Sequence, residues 1–347
     1  MRHFLMVLAV FFVAIAALAP GGARAQTTVP ENPCAPPTYR TDIRPGSSGP
    51  ATEITFGLRV ADLLEINDVN QTISIDLAIR MRWTDPRLAA WDGCKLSIDD
   101  IWFPDLVLKN SGRMFSRWPE TVSVEEGGKI TYLQRISGSF SSYHKLTDFP
   151  FDKQTIALRI YPLDWSIGKV VFRNDEAFTG MSPLLNISDW AITGIQAELV
   201  EETFEAVDQL RSGYLLQISA ERYLSYYFWK IMLPISLIVF MSWCVFWINP
   251  EQFGTQLGLS ATSVLTMIAF IFSTTSMLPR LGYFTMLDRY VAGATVFVFL
   301  ALLQSLCTGY LASKDRTAIA GRIDLISRFA FPLAFFALCA QFYAGIQ

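Results

Sequence analysis

Residues 255–276 carry nine hydroxyl side chains in twenty-two positions and no charge. At spacings of four and three, Gly258, Thr262, Leu265, Ala269, Phe272 and Ser276 share one helical stripe, while Leu257, Leu259, Val264, Ile268 and Ile271 fall elsewhere. Hydroxyls so placed can bond back to their own helix carbonyls, join neighbouring helices, or face water. A second group is residues 142–156, SYHKLTDFPFDKQTI, where Phe149 and Phe151 flank Pro150 ahead of Asp152. A proline there fixes a turn and can be cis. Trp83-Thr84-Asp85-Pro86-Arg87-Leu88 closes an alternating run, Trp102-Phe103-Pro104-Asp105 precedes Leu108-Lys109-Asn110, and Arg222 stands twelve residues before Pro234. Catalytic chemistry has little to use: past residue 25 the sole histidine is His144, and no HExxH, GxSxG or phosphate-loop pattern occurs. An enzyme is not expected, and nothing calls for a cofactor, a metal or nucleic acid.

The elements that must carry these residues divide the chain. Of its 347 residues 52% are hydrophobic and only 17% charged, which disfavours a purely water-soluble domain. Residues 1–25 open with Arg2 and His3, run apolar through LMVLAVFFVAIAALA and reach Ala23-Arg24-Ala25, the pattern of a secretory signal peptide. The mature chain then starts near Gln26 in an oxidising space. Uncharged stretches at 231–250, 252–279, 290–313 and 329–347 are each about long enough to span a bilayer. They place helices at about 226–248, 255–277, 288–312 and 323–346, and four spans return the C-terminus to the outside. The loop over 313–328 holds Lys314, Arg316, Arg322 and Arg328 against Asp315 and Asp324, in keeping with an inside position. Cys244, Cys307 and Cys339 lie in spans, where cysteine usually acts as a small apolar residue. Cys34 and Cys94 lie outside and could form a disulfide there; the sequence leaves their pairing open.

Residues 26–50 are rich in Pro, Gly, Ser and Thr. From Thr52 onward, runs such as ITFGLRVADLLEI, QTISIDLAIRMRW, KITYLQRISGSF and GYLLQISAERY are β-branched and alternating, broken by turn signals. Such spacing describes an antiparallel sandwich or barrel. The expected organisation is a signal at 1–25, a β-sandwich ligand-binding domain at 26–222 and an all-α four-helix transmembrane domain at 223–347.

Taken in order ahead of four spans, the Trp83 motif, the WFPD motif, FPFD and Arg222 resemble the pentameric ligand-gated ion channels, the superfamily of nicotinic, glycine and GABA receptors. The resemblance covers about 52–347. Ser142 and Ile156 occupy the positions of the family's loop cysteines, and only about a dozen residues separate the third and fourth spans; both departures resemble the prokaryotic branch. The resemblance implies a homopentamer in a bacterial inner membrane, its N-terminal domain and C-terminus periplasmic, with the lipid bilayer, monovalent ions and a small-molecule agonist as partners.

In such proteins the FPFD loop couples agonist binding to the pore. Phe149, Pro150, Asp152, Asp68, Arg222 and Pro234 are thereby implied as coupling residues, Arg222 being held by two carboxylates through charge-assisted bonds. The alternative is an Arg222 that snorkels at the membrane surface. SVLTM and SMLPR stand where the family's pore helix has similar residues, so five copies would turn the stripe into a channel wall, with Leu265 a constriction closing by dewetting. No arginine follows the Pro-Ala-Arg pattern of anion-selective relatives, and Glu251 would attract cations. For the agonist, the resemblance offers Asp105, Tyr161, Leu163, Trp165 and Phe204, the last among Glu201, Glu202 and Glu205. It adds Arg80 and Tyr132 on the opposing face, as a cradle for an amine or amino acid. Equally, Arg80 and Arg82 are ordinary solvated strand residues. Proton gating is less favoured, because Gln71 and Met267 depart from the proton-gated branch. His144 is expected to be exposed. The rival reading is a membrane-anchored receptor that binds a small amine or amino acid without conducting.

Overall fold

The computed structural model describes residues 33–185, 187–204, 208–275 and 280–344. The signal expected at 1–25 lies outside the described residues, as does Ser276. The strands are β1 Thr52–Asn67, β2 Thr72–Thr84, β3 Lys95–Ser97, β4 Leu106–Lys109, β5 Ser111–Ser116, β6 Thr121–Glu125, β7 Lys129–Ser141, β8 Lys153–Pro162, β9 Val170–Asn174, β10 Gly180–Met181, β11 Trp190–Phe204 and β12 Gln209–Arg222. One sheet runs β10-β1-β2-β7-β6-β3, with β5 beside β7 and β9 beside β1; the other runs β11-β12-β8-β4. Most pairs are antiparallel, but β9 and β10 join β1 in parallel.

Alternation explains why these sequences become a sandwich. In β2, Ile73, Ile75, Leu77, Ile79 and Met81 turn inward while their neighbours do not. They meet Phe56, Trp102, Phe172, Ile160, Tyr214 and Leu216 in one apolar core. Cys34 and Cys94 are joined by a disulfide, which resolves the pairing the sequence leaves open.

Four helices are long and apolar enough to cross a membrane. The first, α1 (Ser225–Trp247), contains a π turn at Phe228–Met232 followed by Pro234, whose missing N–H and bulky ring disturb the regular hydrogen-bond ladder. Then come α2 (Phe253–Thr275), α3 (Met286–Ser313) and α4 (Thr317–Ala344). The start of α4 lies earlier than the expected 323, and the loop expected over 313–328 shrinks to residues 314–316. Hydropathy marks bilayer thickness rather than helix length, and Ala318, Ile319, Ala320 and Arg322 sustain a helix as it leaves the apolar zone.

The halves share a core. Leu146 and Phe149, from the loop between β7 and β8, pack in the same cluster as Ile231, Ile235, Leu287 and Tyr290 of the membrane helices.

Candidate functional site

At the junction, β12 ends on Arg222, whose side chain is 2% exposed. Its Nε donates to Asp152 Oδ1 at 2.8 Å and its Nη2 to Asp152 Oδ2 at 3.2 Å, a two-pronged bond. Its Nη1 lies 2.8 Å from Asp68 Oδ2 in the turn after β1. Arg222 is therefore no snorkelling residue. Its guanidinium also lies 4.0 Å from the Trp190 ring, its register partner in β11, and 4.8 Å from the Phe149 ring. Burial works against the arginine's charge, but the bonds from Asp152 and Asp68 outweigh it and raise its pKa.

A second layer fixes the carboxylates. Gln154 donates to Asp152 Oδ2 at 2.7 Å, and Gln71 donates to the Asp68 carbonyl at 2.9 Å. His144 is buried, contrary to the exposed position expected: its Nδ1 stands 3.3 Å from Asp68 Oδ1, its Nε2 2.9 Å from Ser142 Oγ, and its backbone N–H donates to Gln71. His144 follows Phe140 and Ser142 on the side that alternation turns inward, while Tyr143 between them points out at 87% exposed. Burial alone would push the Asp68 carboxyl up, but the bonds to His144 and Arg222 together bring it below the ordinary range.

The same loop grips the membrane helices. The peptide before Pro150 is cis, and the carbonyls of Thr147 and Phe149 accept from the N–H groups of Met286 and Leu287 at 3.0 and 3.1 Å. These are first-turn donors of α3, which a helix cannot satisfy by itself. Thr285 and Asp288 cap that turn reciprocally, and the Tyr283 hydroxyl accepts from Leu146 N–H at 3.0 Å. The loop is thus hydrogen-bonded directly to the first turn of α3.

Along α2, Gln256, Ser260, Ser263 and Met267 are buried against the other helices. Gly258, Thr262, Leu265, Ala269 and Phe272 are all exposed on the subunit, Leu265 at 67% and Phe272 at 76%. The hydroxyls have several destinations. Thr262, Ser263, Thr266, Ser273 and Thr274 bond back to carbonyls three or four residues earlier, and Ser260 meets Ser305 of α3 at 3.0 Å. Glu251 is exposed at the foot of α2.

The ligand-site expectation is redrawn in places. Tyr132 pairs with Met81 and faces the core, edge-to-face with Phe103, whereas Arg80 pairs with Leu133 and points to the other side of the sheet. The two do not form one cradle, because a one-residue difference in register reverses the face. Arg80 is not simply solvated either: it meets the buried Asp175 at 2.7 Å, shared with Arg82 at 3.1 Å, and lies 4.4 Å over the Phe178 ring. Trp165 packs against Trp102 at 5.8 Å and leans on the core. Tyr161 is buried with its hydroxyl on Glu202, while Leu163 and Asp105 are exposed and joined through a 2.7 Å backbone bond. The Phe204 side chain lies outside the described residues. Trp190, Tyr283, Asp175 and Phe178 were not marked in the sequence, because each acts on a residue of another strand or loop.

A β-sandwich seated through a buried arginine cluster on four helices long and apolar enough to cross a bilayer defines a multi-pass membrane protein. Family comparison agrees: residues 35–218 match the neurotransmitter-gated ion-channel ligand binding domain, and residues 231–318 match the neurotransmitter-gated ion-channel transmembrane region. The chain belongs to this family, which comprises channels rather than enzymes. Among its relatives is the gamma-aminobutyric acid receptor subunit beta-4 of Gallus gallus, 28% identical over 288 residues, or 79% of this chain and 58% of the relative. The gamma-aminobutyric acid receptor subunit beta of Caenorhabditis elegans is 27% identical over 290 residues, 78% of this chain and 52% of the relative. The chain thus spans about half the length of these relatives.

Proposed function

We propose that the chain is one subunit of a homopentameric ligand-gated ion channel. Agonist binds between β-sandwich domains, the FPFD loop carries the signal, and five copies of α2 line the pore. The supporting observation is the stripe Gly258, Thr262, Leu265, Ala269 and Phe272, exposed as a set on a helix whose opposite face is packed. A ring of Leu265 side chains closes such a pore by excluding water. Glu251 and the absence of Lys or Arg between positions 248 and 258 favour cations. The secretory pattern and the basic residues 314, 316, 322 and 328 favour a bacterial inner membrane with the sandwich and C-terminus periplasmic.

Cysteine accessibility tests this. In a background with Cys244, Cys307 and Cys339 changed to Ala, single cysteines at Thr262, Ala269 and Phe272 should react with a charged thiol reagent and alter current, while one at Met267 should not. Equal reactivity at all four positions, or modification without any effect on current, favours the non-conducting receptor.

A further inference from the structure

The Arg222 cluster is short of positive charge. Asp152 and Asp68 both sit on one guanidinium, with the side chains of Arg222 and Asp152 at 2% and that of Asp68 at 13% exposure. An unbalanced charge held away from water is costly. One further titratable side chain touches the group: His144, its ring 1% exposed, with Nδ1 3.3 Å from Asp68 Oδ1. That oxygen is not the one Arg222 uses, since Nη1 of the arginine stands on Oδ2. Asp68 therefore has a separate oxygen for each of two cations.

The surroundings suit the ring with one proton or two. With one, Nδ1–H donates to Asp68 and Nε2 accepts from the Ser142 hydroxyl at 2.9 Å; with two, Nε2–H donates to that hydroxyl oxygen, which turns to receive it. The backbone N–H of His144 donates to Gln71 Oε1 at 2.7 Å and holds the ring beside the turn after β1. The groups facing it from other elements are Asp68 and Gln71 of that turn, Trp190 of β11 at 6.4 Å between ring centroids, and Arg222 of β12 across Asp68. On its own loop, Lys145 and Asp148 are exposed, and Asp152 is taken by Arg222 and Gln154. Among the described residues, Asp68 is the one carboxylate within ion-pair distance of His144.

We propose that His144 is a positioning residue of the Arg222 cluster, and that a second proton on its ring brings the cluster to charge balance and fastens the FPFD loop to the turn after β1. This rests on the coupling role given to that loop above and adds its regulation: acid on the side of the β-sandwich tightens the joint and alkali loosens it. Histidine is the side chain whose ordinary change of charge falls between about pH 5 and 8. The proton sets the strength of the joint and leaves the agonist a separate molecule.

Apart from His3, His144 is the chain's only histidine, so full-length assembled His3→Gln protein with isotope-labelled histidine and a histidine-free purification tag reports this ring alone. Nitrogen magnetic resonance should find one protonated ring nitrogen at about pH 8 and two at about pH 5. In Asp68→Asn, where Arg222 and Asp152 already balance, the doubly protonated ring should be about tenfold or more scarcer at each intermediate pH. The pore is read through the agonist-free current of Leu265→Ser, which should change by about fivefold or more over the same range, and the change should vanish when His144→Gln is added. A ring whose proton count stays constant, or that takes up its second proton equally in Asp68→Asn, would overturn the charge-balance role whatever the pore does. A pH response of the current that survives His144→Gln would overturn the regulation and leave the channel standing. A silent Leu265→Ser would instead strike the channel reading, and the nitrogen spectra would still decide the role of His144 in the cluster.

Discussion

The Arg222 cluster makes a quantitative prediction about non-additivity. In Asp152→Asn the arginine keeps Asp68 at 2.8 Å, so the loss is that of bonds to one charged partner, about 1.5–3 kcal/mol. Asp68→Asn leaves the two-pronged contact with Asp152 and should cost a similar amount. Combining them strands a guanidinium only 2% exposed, and an unpaired buried charge costs about 3–5 kcal/mol by itself. The double variant should therefore exceed the sum of the singles by about 3 kcal/mol, where that penalty and the largest couplings between residues sharing a partner meet. Each single should melt about 3–12 °C below wild type if a domain of this size shifts by about 2–4 °C per kcal/mol. The assay is the fraction of intact oligomer surviving a heating series, run beside agonist-evoked current. Strict additivity, or a double variant as stable as either single, would refute the idea that both carboxylates serve one buried charge. Replacing all three by apolar residues of similar size should recover stability but not gating, since packing can substitute for ion pairing while the rigid link is lost.

Four further outcomes follow from the contacts described. Asp68 titrates below the ordinary carboxylate range, so its contribution is fully present above the unfolded value of about 4 and disappears as pH falls through the folded value; melting curves should hardly change through Asp68 between pH 7 and 5 and should fall below pH 4. Cys94→Ser opens a loop with a sequence separation of 60 and should destabilise the β-sandwich by about 4 kcal/mol, read by denaturant unfolding with and without reductant. Gly309→Ala brings a Cβ within 2.0 Å of the Phe253 ring, so it should lower oligomer stability by about 1–3 kcal/mol, and adding Phe253→Ala should restore part of the loss. His144→Phe removes one of the partners of Asp68 and the ring bonded to Ser142 without emptying the space, and should weaken agonist coupling while leaving assembly intact, as currents and size-exclusion profiles would report.

Much of this architecture was legible because it follows from periodicity within single segments. The inward residues of β2 and the four apolar spans need no knowledge of partners. Asp68, Asp152 and Arg222 emerged only through resemblance, since nothing in their spacing brings residues 70 and 154 positions apart within 3 Å. Tyr132 shows the limit most clearly. Alternation along β7 is visible in KITYLQRISGSF, but its register against β2 decides which face Arg80 shares, and the sequence does not specify that pairing. Asp175 escaped for the same reason, being recruited across strands to arginines that look solvated in isolation. His144 was misplaced because polarity suggests exposure, whereas here Asp68, Ser142 and Gln71 satisfy a buried ring and its backbone.

The most direct test of the central claim is the current carried by Leu265→Ser across a salt gradient, without agonist. Replacing the exposed leucine by a hydroxyl in every subunit should wet the constriction and give a steady leak, with a reversal potential on the cation side if Glu251 governs selectivity. Assembled protein that reaches the membrane yet passes no current would contradict the assignment of α2 as the wall of a pore.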